Sequence, residues 1–240
     1  MRLLFLASSA IAMLALSQPV APPRVIETVF ELADGGEMRY AISIPSDDAD
    51  AETDRTPRPL VLALHPGGQS VYYGSDFMQQ VVELALREWD AIIVAPDVPS
   101  RQWADQVSER AVLALLDHVM AQHAIDLDRI LVTGFSMGGS GTWFFATRHA
   151  DLFTGAIPMA ASRGNNSLDG LGTMPVHIIH SPDDEVVPYG PAEETAELLA
   201  ERGHPVRLLR VGGLGHYNMG GYIKPLQLAG EWMEEQWARK

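Results

Sequence analysis

A chain of 240 residues, 47% hydrophobic and 20% charged, has apolar material for a packed core and enough charge to stay dissolved, which excludes a disordered chain and suits one α/β domain. Thirty-one acidic against 17 basic residues give a formal charge of −14, a sign that repels phosphate backbones and anionic lipid, so neither nucleic acid nor a membrane surface is an expected partner. There are no cysteines, which excludes disulfides, thiolate metal sites and cysteine nucleophiles.

The chain opens Met1-Arg2, runs apolar to Leu16 and continues Ser17-Gln18-Pro19. One positive charge, a short apolar run and small residues at its end are the parts of a secretory signal peptide. The run falls short of the roughly 20 residues a membrane span needs. Ala15 and Ser17 stand three and one residues before a cut after Ser17. Residues 1–17 are therefore expected to be removed, leaving 18–240 as the catalytic domain, with a periplasmic or extracellular address and no membrane contact after cleavage. With no cysteine in the leader, a bacterial lipoprotein anchor is excluded.

Residues 25–32 and 38–44 are apolar or alternating around Asp34-Gly35-Gly36, which predicts an antiparallel hairpin. Residues 46–59 are polar and acidic with two prolines, hence a loop. Their acids lack the regular spacing of a calcium site and read as solvated surface. From Leu60 the pattern changes to short continuous apolar runs at 60–64, 91–95, 129–133, 155–159, 176–180 and 206–211. Amphipathic segments at 76–88, 105–122, 137–148, 192–202 and from 224 onward fall between or after them. Buried parallel strands alternating with helices read this way, so the expected fold is a mostly parallel, doubly wound α/β sheet with an antiparallel start. The connection from Met159 to Val176 is too short for a cap domain, which predicts an open site.

Gly134-Phe135-Ser136-Met137-Gly138 follows the apolar run Ile130-Leu131-Val132 and opens a helical pattern. A serine on such a strand-to-helix turn is held in a strained backbone with small neighbours, and its hydroxyl projects from the sheet edge. That hydroxyl needs a base in hydrogen-bond reach and an acid to fix the base's tautomer. Asp183 and Asp184 lie in the loop after strand 176–180, where an acid can reach the site. His216 ends Gly212-Gly213-Leu214-Gly215-His216 after the last strand, where glycine lets the backbone return an imidazole over the sheet. The other histidines lie in helices or at their ends (His118, His123, His149), inside a strand (His177) or before the last one (His204), while His180 reads as ordering the acid's loop.

An acyl-transfer intermediate needs two donors for its oxyanion. The amide of Met137, just after the serine, is one. The other belongs to the loop His65-Pro66-Gly67-Gly68-Gln69, where Pro66 has no N–H, so Gly67 is the expected donor and His65 a residue that shapes the loop. Trp103, in a loop at a strand's carboxyl end, is placed to line the acyl or alcohol pocket, with packing as its alternative role. Trp143 is expected in the core, and Asp97 in substrate contact or turn geometry. No metal or cofactor is required.

These motifs, with Gly141-Thr142-Trp143, Asp151-Leu152-Phe153 and Asp184-Glu185-Val186-Val187-Pro188, resemble the α/β-hydrolase superfamily from about Leu60 to the C-terminus. Within it, the chain is similar to secreted carboxylesterases related to feruloyl and acetylxylan esterases and polyhydroxybutyrate depolymerases. Such hydrolases place the acid two residues before a Val-Val-Pro, which favours Asp184 over Asp183. The resemblance implies a serine carboxylic ester hydrolase that acts through an acyl-enzyme on short-chain or aromatic esters, small-molecule or polysaccharide-linked, without cofactor. Two features depart from it: the first motif, which usually begins His-Gly in relatives, begins His65-Pro66 here, and the disulfides common in the secreted depolymerases are missing. The cysteine chemistry that dienelactone hydrolases perform on this fold is excluded by composition. The alternatives are a serine peptidase of the prolyl-oligopeptidase type, though the chain has no room for a propeller, an acyltransferase with the same triad, and a non-catalytic binding module, which usually lacks a triad member.

Overall fold

A computed structural model describes residues 22–46, 56–68 and 70–239. The expected signal at 1–17, most of the acidic loop at 46–59, and Gln69 lie outside the described residues.

The hairpin forms β1 (Arg24–Glu31) and β2 (Glu37–Ile44), paired from Arg24 with Ile44 to Glu31 with Glu37 around Gly35, whose φ of 83° admits the turn. Six further strands follow: β3 (Arg58–Leu64), β4 (Ile92–Pro96), β5 (Ile125–Phe135), β6 (Gly155–Met159), β7 (Val176–His180) and β8 (Val206–Arg210). One sheet holds all eight in the order β1-β2-β4-β3-β5-β6-β7-β8. β2 is antiparallel to β1 and β4, and every other pairing is parallel.

Alternation along β3 explains why the sheet is covered on both faces. Leu60, Leu62 and Leu64 face a core shared with α3 (Gln106–Gln122), α4 (Met137–Arg148) and α5 (Gly190–Glu201). Val61 and Ala63 face the other core, against α1 (Tyr73–Phe77), α2 (Glu83–Leu86) and α6 (Ile223–Trp237). The helix expected at 76–88 is in fact segmented. A π-helical stretch, Met78–Val82, separates α1 from α2, and a 3₁₀ turn, Arg87–Trp89, follows. The wider turn keeps Met78, Val81, Val82 and Leu86 all in the second core.

From β3 the chain turns to β4 on one side, then crosses to β5 on the other. The carboxyl ends of β3 and β5 therefore diverge into a crevice, the place where open α/β sheets bind ligands. Ser136 follows β5 directly, and the 65–68 loop follows β3.

Candidate active site

Ser136 sits at φ 54° and ψ −114°, a sparsely populated conformation for a residue with a side chain. Close packing enforces it. A Cβ at Gly138 would run into the Leu64 carbonyl, and one at Gly134 would stand 2.6 Å from the same oxygen, so α4 starts hard against β3. The Ser136 amide donates to Met159 O at 3.0 Å on the β6 side, and its carbonyl accepts from Ser140 N at 2.9 Å to begin the helix. Met137 is the first residue of α4, so its N–H belongs to the first turn, which has no intrahelical acceptor and carries the positive end of the helix dipole.

The structure brings Ser136, His216 and Asp184 together. His216 Nε2 lies 2.8 Å from Ser136 Oγ, and its Nδ1 lies 2.8 Å from Asp184 Oδ2. The second Asp184 oxygen accepts from the amides of Val186 at 2.9 Å and Val187 at 2.7 Å. Burial alone would raise this carboxyl, but the His216 hydrogen bond and the two amides outweigh it and hold Asp184 below the ordinary carboxylate value. An ionised Asp184 accepts a hydrogen bond from Nδ1–H and so keeps the proton on that nitrogen, leaving Nε2 free to accept from the serine hydroxyl.

His180, fully buried, has its Nε2 3.0 Å from Val187 O and 3.5 Å from Asp184 Oδ2, so it orders the acid's loop and makes no contact with Ser136. Burial lowers its pKa, which keeps it neutral and its Nε2–H donating. His65 is likewise neutral through burial. Its Nδ1–H donates to Pro66 O at 2.6 Å and its Nε2 accepts from Val98 N at 3.0 Å, which folds the 65–68 loop back over β4.

Trp103 lies elsewhere than the sequence suggests. It is 0% exposed, its indole N–H donates to His65 O at 2.9 Å, and its Cβ would meet any side chain at 141 at 2.5 Å. The tryptophan is a prop under the 65–68 loop and not a wall of the pocket, because that loop's buried carbonyl needed a donor. Trp143 is in the core at 1% exposure. Asp97 serves turn geometry: its carboxylate accepts from Tyr72 N at 2.8 Å, Gly74 N at 3.0 Å and Arg39 Nε at 3.3 Å.

A cleft of about 240 Å³ opens above the serine, lined by Pro66, Gly67, Tyr73, Phe135, Val186, His216, Tyr217 and Met219 beside Ser136 itself. Tyr73, Tyr217 and Met219 are wall residues outside every motif quoted above, and of these only Tyr217 carries a signal, its place next to His216; Val186 belongs to the motif that begins with Asp184. Among the described residues no group of three or more His, Asp or Glu side chains is placed to hold a metal ion.

A strained serine elbow at the switch point of an eight-stranded, mostly parallel sheet, with the acid after β7 and the histidine after β8, defines an α/β-hydrolase. The chain belongs to the dienelactone hydrolase family, whose model matches residues 89–217. That span contains Ser136, Asp184 and His216 but not the 65–68 loop. No cysteine accompanies the family name here, since the elbow position is a serine.

A probable feruloyl esterase C of Aspergillus niger is 28% identical over 169 residues, covering 66% of this chain and 59% of that protein. An uncharacterized secreted protein of Arthroderma benhamiae is 25% identical over 245 residues, covering 82% of this chain and 25% of that one. The chain thus spans 59% and 25% of the lengths of these two relatives. Among solved structures, a thermostable esterase superposes with a TM-score of 0.73 at 26% identity, over 88% of this chain and 62% of its own. A fluorophosphonate-binding serine hydrolase of Staphylococcus aureus shares the fold at 17% identity with a TM-score of 0.71, over 89% of this chain and 99% of its own.

Proposed function

We propose that the protein is a serine carboxylic ester hydrolase that works through an acyl-enzyme on uncharged short-chain or aromatic esters. The observation that carries this reading is the relay from Ser136 Oγ through His216 to Asp184, each link 2.8 Å long, at the crevice of the sheet. Ser136 Oγ attacks the ester carbonyl carbon while His216 Nε2 takes its proton, and Asp184 holds Nδ1–H against the imidazolium charge. The oxyanion rests on the amides of Met137 and Gly67. His216 returns the proton to the departing alcohol, then takes one from a water that attacks the acyl carbon, and Ser136 leaves with that proton restored.

Substrate class follows from the cleft walls. Apart from the relay itself they are Pro66, Gly67, Tyr73, Phe135, Val186, Tyr217 and Met219, all uncharged, in a chain of net charge −14. A cleft of about 240 Å³ leaves the far methylenes of a long acyl chain in water, each forgoing about 0.8 kcal/mol. The Aspergillus relative's name agrees with an aromatic acid. The leader-like N-terminus and the secreted relative support a periplasmic or extracellular address, and among the described residues no helix is long and apolar enough to cross a membrane. Mass spectrometry of exported protein should give a mature start near Gln18.

A fluorophosphonate probe should label the wild-type chain and not Ser136→Ala. On p-nitrophenyl esters, activity should peak between acetate and hexanoate and fall by dodecanoate, with no jump above the substrate's micelle concentration. Labelling that survives Ser136→Ala would end the serine mechanism. Faster turnover of palmitate than of butyrate would end the open-cleft reading.

A further inference from the structure

His216 is carried by a loop that leaves β8, an edge strand, and reaches back 80 residues in sequence to Ser136. Asp184 fixes the ring of this histidine but touches none of its backbone. The two acids flanking Asp184 hold backbone amides of this loop, and one of them holds that of His216 itself. Glu185 Oε2 accepts from the amide of His216 at 2.9 Å, and Asp183 Oδ2 accepts from the amide of Gly213 at 2.6 Å. The glycines of the loop make room for them. Gly213 turns through φ 78°, and a Cβ at Gly215 would stand 2.9 Å from Glu185 Oε2.

We propose that Glu185 is a positioning residue for His216, setting the height of the imidazole over Ser136 through the His216 amide, an inference that rests on the serine-hydrolase reading above. Of three consecutive acids, the middle one holds the ring and the outer two hold the backbone. Exposure argues that the outer contacts serve geometry and not fold stability. Glu185 and Asp183 are both exposed, and an exposed charged contact adds little to global stability. A misplacement of about 1 Å at a reacting group, by contrast, can cost roughly 10²-fold in rate. Gly215 then stands where it does so that a carboxylate can approach the next amide.

The test compares wild type, Glu185→Ala, Glu185→Gln, Gly215→Ala and Ser136→Ala on p-nitrophenyl butyrate, with thermal unfolding of each. Glu185→Ala should lower kcat by about 10- to 100-fold with KM changed by less than about twofold and an unfolding transition close to wild type. Glu185→Gln, whose amide oxygen still accepts from the His216 N–H, should recover most of the loss. Gly215→Ala displaces the carboxylate without removing it, so it should reproduce the loss, and the double variant with Glu185→Ala should be no worse than either single one. A wild-type kcat in Glu185→Ala, a Gln variant as poor as the Ala variant, or additive losses in the double variant would each overturn the proposal. Ser136→Ala separates the two readings. Activity that persists in it removes the serine mechanism itself, whereas a dead Ser136→Ala beside an unimpaired Glu185→Ala removes only the role of Glu185.

Discussion

The serine elbow and the histidine loop meet at 2.8 Å, yet they are built by opposite means. The elbow is locked by backbone crowding at the centre of the sheet, with Gly134 and Gly138 pressed on Leu64 O and the Ser136 amide bound to Met159 O. The histidine loop hangs from the edge strand β8 and is held by side-chain carboxylates from the loop after β7. The position of Ser136 is inherited from the core, while that of His216 is set by three acids, Asp184 with its buried carboxylate and the exposed Asp183 and Glu185. Damage to the first should unsettle the fold together with the rate, and damage to the second should slow the rate alone.

The largest break expected on the histidine side is Asp184→Asn. It leaves the imidazole in the wrong tautomer and should lower kcat by about 10⁴-fold, the scale of loss when a triad acid becomes an amide, with little change in thermal unfolding. On the elbow side, Gly138→Ala forces a methyl group against the Leu64 carbonyl. Displacement of Ser136 should cost about 10²-fold in kcat, and overpacking should cost roughly 1–3 kcal/mol of stability, readable as a lower Tm in the same sample. An unchanged Tm there would erase the contrast.

A third prediction stays within the sheet. Burial first, and the positive charge of Arg207 second, push His177 in β7 from 6.5 down to about 4. As pH falls through that window the unfolded chain takes up a proton that the folded chain refuses, so the folded state loses about 1.4 kcal/mol per pH unit. His177→Phe keeps a ring against Trp232, whose centroid lies 5.3 Å away, and should flatten the fall of Tm between pH 6.5 and 4 while leaving kcat unchanged. Smallest of all is Asp183→Asn, because its amide oxygen still accepts from Gly213 N. A kcat within a few-fold of wild type is expected, and a loss larger than that of Asp184→Asn would reverse the roles of the two acids.

What the sequence discloses, and what it hides, divides along the same line. The strands at 155–159 and 176–180 have the boundaries of β6 and β7, and the helix at 137–148 those of α4, because continuous apolar runs and a glycine-flanked serine are local signals. The pattern at 76–88 predicts one helix, whereas the start of that segment is fixed by Asp97, which bonds Tyr72 and Gly74 across 25 and 23 residues. No local pattern announces such a partner. Trp103 misleads for a related reason: its place in the chain points to the pocket, but its indole is spent on His65 O, 38 residues away. Asp183 and Glu185 are visible as acids, and only the path of the 212–216 loop assigns them amides.

The separation of Ser136 from His216 by 80 residues has a further consequence, for the order in which the molecule is assembled. The elbow needs only β3, β5, β6 and the start of α4, all complete before β7 begins. Until β8 pairs with β7 and brings its loop inward, Ser136 has no imidazole beside it. Synthesis from the N-terminus therefore completes the strands around the elbow before the histidine loop exists. In refolding, turnover should return only when β8 has paired with β7, which is checked by following ester hydrolysis beside the recovery of helical signal.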